Sequence, residues 1–355
     1  MLLAFRTGNF RSLRDETELS LMVPAWVSAE ERVVRRVSGA ASDRVGTVAG
    51  IYGANASGKS NVLAAMRAMC EAVRDSHQRW QPAAGAPYDP FLLDDEHHVQ
   101  PTLFEVDLLL DGRRWQYGFR LDREGIVAEW LYAFPHGRKS VWFERERGGE
   151  FYAGKSLTGP ISTLREITRP NSLFLSVGAA NNHPQLTRVA EWLSVHVAFA
   201  TRADQDARIG TTTGLLDDRT FGPRIQQLLT YADLGITRAE PRPDDALRSR
   251  FLEAIEPLAP GRSEDLEELA DRFAHDVVFH HRALADNVAL KLVQESLGTQ
   301  TWFALLGPLA LALALGGTLV VDELDASLHP QLTARLIQMF HDPSVNPEAA
   351  QLVFS

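Results

Sequence analysis

The chain has 355 residues, of which 45% are apolar and 23% charged, enough for one large domain or two intimately joined domains with a sizeable core. Its formal net charge of −10 argues against a globally basic nucleic-acid binder. The single cysteine, Cys70, excludes a disulfide within the chain and suits a reducing cytoplasm; we interpret it as a small core residue.

Neither of the two segments relevant to membrane targeting favours a membrane protein. Residues 1–21 carry several charged side chains and no long apolar region, unlike a signal peptide. Residues 302–321 are nearly all apolar and match the roughly 20 residues that a bilayer requires. However, a proline and a Gly-Gly pair interrupt them and an acidic pair follows, so a buried helix, a turn and a buried strand are predicted instead.

The first part of the chain leads into its most informative motif. Residues 1–25 predict a strand, a turn and a second strand, and the polar, Arg-rich residues 26–46 predict a loop or short helix. Residues 47–52 then predict a short buried strand. After this strand and a polar loop, apolar residues recur at helical spacing, at Val62, Met66, Met69 and Val73.

Between this strand and this helix, residues 53–60 fit the phosphate-binding loop pattern G-x-x-x-x-G-K-[ST]. A polyphosphate needs close backbone N–H groups, the positive end of a helix, a lysine for the outer phosphates and a hydroxyl for Mg²⁺. Gly53, Gly58, Lys59 and Ser60 supply these parts. The nucleotide-binding residues predicted in this loop are Gly53, Asn55, Ala56, Ser57, Gly58, Lys59, Ser60 and Asn61.

From residue 102 the apolar period changes to two, which predicts strands. Alternating apolar residues and intervening turns, including Asp111-Gly112 and residues 122–125, indicate an antiparallel meander that ends near residue 152. We expect this meander to form an accessory sheet rather than part of a parallel nucleotide-binding sheet.

The middle of the chain is less informative. Residues 171–177 predict another buried strand. Residues 200–285 are predicted to be mostly helical, with apolar faces near residues 225–229 and 266–273 and joints at 214–218 and 241–245. We find no long heptad run, internal repeat or low-complexity tract.

The last third returns to dense apolar sequence. A long helix over residues 302–315 is followed by a buried strand of parallel type over 318–323, and then by a helix over 332–340 and a strand from 351. The first of these strands ends in Asp322 and Glu323. In an open parallel sheet, ligands bind at the carboxyl ends of the strands, so we expect these acids to meet Lys59 across neighbouring strands.

A phosphate-binding loop alone does not hydrolyse a nucleotide, and the acidic pair supplies what it lacks. Mg²⁺ requires a carboxylate, and the attacking water must be oriented or deprotonated. We therefore predict that Asp322 serves Mg²⁺ through water, together with Ser60, and that Glu323 serves the attacking water. A surface turn after a strand is the alternative interpretation of this pair.

Three segments together resemble the motifs of ABC-type ATPases: residues 53–60, 295–300 and 321–330. More narrowly, they are similar to the soluble AAA-type ATP-binding proteins of bacterial anti-phage and abortive-infection operons, which are relatives of OLD-family, Septu and RecF/SMC-type ATPase heads. The likeness runs nearly end to end; it is strong at the three motifs and weak across 200–275.

This resemblance implies an α/β fold: a P-loop NTPase of ABC-ATPase type with an antiparallel β-meander subdomain and a helical insertion. Residues 1–200 would form an N-terminal ATPase lobe with the accessory sheet, and residues 201–286 a helical subdomain. Residues 287–355 would form a C-terminal lobe with the signature segment and the Walker B strand.

The resemblance also implies that two subunits sandwich two nucleotides. Ser296 and Gly298 of one subunit would cap the γ-phosphate held by the other, beside a helix N-terminus. Asp325 would lie in the loop that joins the two sites, and Arg11 and Ser12 would line the nucleotide. The catalytic residues so predicted are Lys59, Ser296 and Glu323, and the metal residues are Ser60 and Asp322.

Two departures from the family pattern concern the site. Such heads usually place a glutamine after the strand that we predict to end near residue 177, where this chain offers Asn181, Asn182 and Gln185. They also usually carry a histidine just beyond the last strand, where this sequence ends. We favour the interpretation that the sequence is a fragment of a longer chain.

The leading functional hypothesis is a cytoplasmic, Mg²⁺-dependent ATPase switch, with ATP and Mg²⁺ as cofactors. It would form at least a homodimer and regulate an effector protein, such as a nuclease, in anti-phage defence. Any contact with nucleic acid would be indirect, and no binding to a membrane is expected. The alternative is a DNA-repair or chromosome-associated RecF/SMC-like ATPase that binds DNA directly. A long coiled coil or a basic groove would support this alternative. A hexameric motor, a transporter subunit or a small-molecule kinase explains fewer of the motifs. The effector, the trigger and the choice between ATP and GTP stay open.

Overall fold

The computed structural model divides the chain into two units. The first unit comprises residues 1–199, 315–322 and 339–355, and the second comprises residues 200–314 and 323–338. The predicted signature segment, residues 295–300, and the long apolar helix up to residue 314 therefore group with the middle of the chain. The structure describes residues 1–24, 26–27, 34–36, 44–232, 235–255, 267, 275–282 and 289–355.

The elements are numbered in chain order. The strands are β1 Leu2–Gly8, β2 Thr17–Ser20, β3 Val34–Arg36, β4 Arg44–Gly46, β5 Val48–Gly50, β6 Thr102–Leu110, β7 Arg113–Leu121, β8 Ile126–Phe134, β9 Ser140–Glu146, β10 Tyr152–Ala153, β11 Val197–Ala200, β12 Ile236–Pro243, β13 His275–His281, β14 Ala289–Lys291, β15 Thr318–Val321 and β16 Gln351–Phe354. The helices are α1 Lys59–Asp75, α2 Ile161–Ile167, α3 Phe174–Ala180, α4 Pro184–Val195, α5 Gln205–Leu216, α6 Phe221–Tyr231, α7 Asp245–Ile255, α8 Leu297–Leu315, α9 Leu324–Ser327 and α10 Pro330–His341.

The predicted meander forms most of a seven-stranded antiparallel sheet in the first unit, in the order β10-β9-β8-β7-β6-β1-β2. The tight turn between β6 and β7 is Asp111-Gly112, where both residues have positive φ (51° and 70°). That conformation matches the twist of a two-residue hairpin. The N-terminal hairpin of β1 and β2 joins the same sheet because β1 pairs with β6.

Helix α1 connects the phosphate-binding loop to the core of the first unit. Its apolar residues recur at helical spacing, and the face that carries Val62, Met66 and Met69 is buried. The helix packs against β1, β6, α3 and α4. The inward-facing apolar residues of the large sheet belong to the same core, which anchors the helix that starts at the loop.

The second sheet of the first unit has the order β11-β15-β16-β5. Strands β15 and β16 are parallel, and so are β16 and β5. All residues of β15 and β16 are buried. Strands that are buried on both faces are apolar almost throughout, which explains the sequence of these two strands. The carboxyl ends of these three parallel strands lie at one edge of the sheet, where a ligand can be reached from each of them.

The prediction of a strand over residues 171–177 is wrong, because this segment begins as a turn and continues as helix α3. Its apolar run is buried on all sides of a short helix, a pattern that periodicity cannot distinguish from a buried strand. The helix start is held by a buried carboxylate, Glu129, which accepts hydrogen bonds from the N–H groups of Phe174 (2.7 Å) and Leu175 (3.0 Å).

The second unit contains helices α5 to α7, most of α8, and a three-stranded antiparallel sheet in the order β12-β13-β14. The helices near residues 205–231 agree with the predicted helical pattern, whereas the sheet was not predicted. The helical face predicted near residues 266–273 lies outside the described residues, except for residue 267.

Helix α8 is the one described helix that is long and apolar enough to cross a membrane, by length and composition. Most of its residues are buried within the protein, and Trp302, Phe303, Leu306 and Leu309 have no exposed surface. It contains Pro308 and extends five residues farther towards the N-terminus than predicted, starting at Leu297. These features are those of a core helix.

The only cysteine, Cys70, is buried on α1, as predicted for a core residue. Burial raises the pKa of its thiol to about 12, so the reactive thiolate is scarce at neutral pH. We expect iodoacetamide to modify Cys70 far more slowly in the native protein than in urea. Equal rates, measured by mass spectrometry, would contradict this assignment.

Candidate functional site

The phosphate-binding loop connects the end of β5 to the start of α1. Gly58 is the N-cap of α1 and has φ 92°, a left-handed conformation that favours glycine. A Cβ atom at this position would also lie 3.0 Å from Leu13 and 3.1 Å from the Ser12 hydroxyl. At Gly53 a Cβ would approach the Ser57 hydroxyl to 2.7 Å. Gly58 is therefore required by the backbone conformation of the loop, whereas a side chain at Gly53 would force the Ser57 hydroxyl to move.

Donor groups of the loop are available to an anion. Among the residues that the structure describes, the N–H groups of Asn55, Lys59 and Ser60 donate to no protein acceptor. Lys59 and Ser60 form the first turn of α1, whose N–H groups have no partner within the helix and carry its positive end. The Lys59 ammonium donates to the carbonyl oxygens of Gly53 and Ala54, each at 3.0 Å.

Asp322, directly after β15, meets this loop. The Ser60 hydroxyl donates a hydrogen bond of 2.9 Å to Asp322 Oδ1, although the two residues are 262 positions apart. The expectation that their strands are neighbours is wrong, because β16 lies between β5 and β15. The side chains still meet because the carboxyl ends of all three parallel strands lie at the same edge.

Arg11 and Ser12 lie in the turn after β1, and they differ in what they contact. The Ser12 hydroxyl accepts a 2.7 Å hydrogen bond from the side-chain amide of Asn61, which is on the first turn of α1. Arg11 instead pairs with Asp89 at 2.7 Å, and both side chains are about half exposed. The structure thus brings Ser12 and Asn61 to the loop, and it directs the Arg11 guanidinium towards Asp89.

The predicted signature segment, residues 295–300, lies in the second unit and includes the first turn of α8. The Ser296 hydroxyl caps α8 by accepting from the N–H of Thr299 at 3.2 Å. A Cβ at Gly298 would lie 3.8 Å from this hydroxyl, an ordinary van der Waals distance. The preceding carboxylate, Glu295, is nearly buried and contacts His281 Nε2 at 2.6 Å. These contacts fix the segment while its surface stays open, with Leu297 68% exposed.

Glu323 follows Asp322 and begins the segment 323–338 of the second unit. It is exposed and has φ 56°, a left-handed conformation that is uncommon for a residue with a side chain. The chain turns sharply here from β15 into α9, on which the exposed Asp325 lies. Glu323 directly follows Asp322, the carboxylate that the sequence predicts for the metal. Unusual backbone conformations cluster at functional sites, so this one is a candidate functional feature.

Two of the three residues considered in place of the family glutamine, Asn181 and Gln185, make side-chain hydrogen bonds within the protein. The Asn181 amide donates to the Val177 carbonyl at 2.8 Å. The Gln185 side chain bonds the backbone of Thr158 (2.9 Å) and of Ser156 (3.0 Å). Asn182 has φ 55° in the turn between α3 and α4.

The donor set fits a triphosphate with Mg²⁺. Unpaired N–H groups and an ammonium suit phosphate oxygens, and a hydroxyl together with a carboxylate suits Mg²⁺, a hard cation that prefers oxygen ligands. The residues that would hold these groups are Lys59 and the loop N–H groups for the phosphates, and Ser60 and Asp322 for the metal.

Sequence reasoning missed Ser355, whose hydroxyl donates to the same Asp322 oxygen at 2.6 Å. The signal that could have found it is the one that found Asp322, namely a polar residue directly after a buried parallel strand.

Residues 48–355 match the family described as "AAA domain, putative AbiEii toxin, Type IV TA system". The chain belongs to this family. The match begins at the strand before the loop and includes Lys59, Ser60, Asp322 and Ser355. The protein is accordingly an AAA-type ATPase family member of mixed α/β fold. No curated protein matches the chain.

Three solved structures are similar to the chain at low sequence identity. An SMC head domain from Thermotoga maritima has a TM-score of 0.41 and 11% identity, with coverage of 99% of this chain and 88% of that one. An SMC head bound to the C-terminal winged-helix domain of ScpA has a TM-score of 0.45 and 12% identity, with coverage of 100% and 89%. An SMC head with an extended coiled coil, bound to the C-terminal domain of ScpA derived from Pyrococcus furiosus, has a TM-score of 0.36 and 14% identity, with coverage of 100% and 89%.

Proposed function

We propose that the protein binds and hydrolyses ATP with Mg²⁺, and that it acts as a switch. The observation that carries this proposal is the 2.9 Å hydrogen bond between Ser60 of the loop and Asp322. It joins the two halves of a nucleotide site from opposite ends of the sequence. Membership of the AAA family supports the same conclusion.

Each side chain has a role that follows from its chemistry. The Lys59 ammonium would exchange the carbonyl oxygens of Gly53 and Ala54 for phosphate oxygens, which are stronger acceptors because they are charged. Ser60 and Asp322 would hold Mg²⁺, which neutralises phosphate charge when it is bound. Glu323 would accept a proton from the attacking water as the general base.

We propose further that two copies close around nucleotide, with Ser296 and Gly298 of one copy facing the phosphates held by the other. Support comes from the surface of this segment and of the residues just before it, where Leu297 and Val293 are 68% and 77% exposed. Apolar residues grouped beside a polar helix start are typical of a surface that another molecule covers. The helix start adds N–H groups suited to an anion.

In this proposal nucleotide-driven closure controls an effector protein, such as a nuclease, in anti-phage defence in the cytoplasm. The family description, which names a putative abortive-infection toxin and a toxin–antitoxin system, supports a defence role. The single buried cysteine supports a reducing compartment.

The test is nucleotide binding by Lys59→Met, measured with a fluorescent ATP analogue. Because hydrogen bonds to charged groups contribute about 1.5–3 kcal/mol, we expect binding to weaken about 10- to 100-fold and hydrolysis to fall below detection. Lys155→Met is the matched control, since Lys155 is an exposed lysine on the same unit, outside the loop. Unchanged ATP binding by the Lys59 variant, or equal loss in the control, would refute the proposal.

A further inference from the structure

Ser355 is placed by the backbone at the edge of the candidate metal site. It follows β16, the strand between the loop strand β5 and the Asp322 strand β15. Its N–H donates to the Val321 carbonyl at 3.1 Å, which continues the parallel ladder one step beyond the strand. The ladder therefore sets Ser355 level with Asp322.

The side chain of Ser355 forms a hydrogen bond with Asp322. Its hydroxyl donates to Asp322 Oδ1 at 2.6 Å, a length typical of a hydrogen bond to a charged carboxylate. The Ser60 hydroxyl donates to the same oxygen at 2.9 Å. A carboxylate oxygen has two lone pairs, so Oδ1 can accept both bonds at once. Asp322 is thereby oriented from two sides, by the loop and by β16.

Nucleotide binding would affect the hydrogen bonds of Ser60 and Ser355 to Asp322 differently. The Ser60 oxygen would turn to the metal, according to the function proposed above. Ser355 is outside the loop and keeps its bond to Asp322 available. Mg²⁺ demands nearly ideal octahedral geometry, so the orientation of a carboxylate that serves it affects affinity. Groups that orient such residues contribute about 10- to 100-fold to metal affinity.

We propose that Ser355 is a positioning residue of the Mg²⁺ site, which holds the Asp322 carboxylate in the orientation that the metal requires. It acts through Asp322 and is not itself catalytic. This inference rests on the proposed ATP- and Mg²⁺-dependent function.

The experiment compares Ser355→Ala and Ser355→Thr in the full chain. Binding of a fluorescent ATP analogue is measured with Mg²⁺ and with EDTA, and Mn²⁺ binding to the nucleotide-loaded protein is measured by EPR. Ser344→Ala is the matched control, because Ser344 donates to Asp342 at 2.7 Å in an exposed loop of the same unit.

For Ser355→Ala we expect Mn²⁺ binding to weaken about 10-fold, within the range for groups that orient metal ligands, with unchanged nucleotide affinity in EDTA. Ser355→Thr, which retains the hydroxyl, should restore Mn²⁺ binding, and Ser344→Ala should match the wild type. In an Asp322→Asn background, Ser355→Ala should have no further effect, because both substitutions act through one carboxylate.

Three results would overturn the inference: unchanged Mn²⁺ binding by Ser355→Ala, equal losses in EDTA and Mg²⁺, or no recovery with threonine. The second of these would indicate a merely structural role. A wild-type protein that binds no ATP analogue would instead refute the proposed function, so the two failures are distinguishable.

Discussion

Replacing Glu323 with glutamine is expected to slow ATP hydrolysis by about 10²- to 10⁴-fold, the usual contribution of a general base, while ATP binding is retained. Glutamine preserves the shape of the side chain and removes its ability to accept a proton. Glu323 directly follows Asp322 and has φ 56°, and it is not one of the loop residues that would hold the phosphates. Single-turnover hydrolysis and binding of a fluorescent analogue separate the two effects.

The same variant tests closure by two copies. If ATP holds the dimer together and hydrolysis opens it, Glu323→Gln should remain dimeric with ATP and Mg²⁺, as measured by light scattering after size exclusion. The wild type should show a specific ATPase activity that rises with protein concentration. Glu253→Gln is the matched control, since Glu253 is an exposed acid on α7 of the same unit.

A normal rate of hydrolysis by Glu323→Gln would contradict the assignment of Glu323 as the general base. A slow variant that stays monomeric with ATP would leave the base assignment intact and contradict the two-copy site. The expected pair of results, slow turnover and a trapped dimer, requires both proposals.

Local patterns were sufficient where chemistry and periodicity agree. The loop could be predicted because its glycines, lysine and serine fit the pattern of a phosphate-binding loop and because a helical apolar face follows it. The hairpins of the large sheet could be predicted because Asp111-Gly112 satisfies a turn that needs two positive φ angles. In both cases the determining interactions lie within a few residues of each other.

Interactions between distant segments account for what the sequence could not predict. The insertion of β16 between β5 and β15 depends on strand order, which no local pattern encodes. The contact of Ser355 with Asp322 follows from that order. The segment predicted as a strand over 171–177 is mostly apolar, and Glu129 of strand β8 accepts hydrogen bonds from the first two N–H groups of the helix that forms there.

Glu129 is a residue at which a single substitution should cost much of the stability of the first unit. Its carboxylate is fully buried and lies opposite Arg145 on the neighbouring strand β9, which it contacts at 2.7 Å. It also accepts from the Tyr117 hydroxyl at 3.0 Å, in addition to the two N–H groups at the start of α3. Burial, together with this carboxylate, raises the pKa of Tyr117 above its ordinary value, so the phenol remains a donor.

Glu129→Gln should therefore lower the free energy of unfolding by about 3–5 kcal/mol, the usual cost of leaving one member of a buried ion pair without its partner. The variant leaves the Arg145 guanidinium, with 16% of its side chain exposed, beside a neutral group. The measurement is urea unfolding, followed by circular dichroism, from which the midpoint and slope give the difference.

The matched control for Glu129 is Glu144→Gln, on the strand β9 of the same sheet. Glu144 also accepts from a tyrosine hydroxyl, that of Tyr132 at 2.6 Å, and lies near the Lys139 ammonium. Its side chain is 44% exposed, so water replaces the lost charge interaction and the cost should be at most about 1 kcal/mol. Equal destabilisation by the two substitutions would show that burial of the Glu129 carboxylate is not the cause. A loss below about 1 kcal/mol at Glu129 would show that α3 does not depend on it.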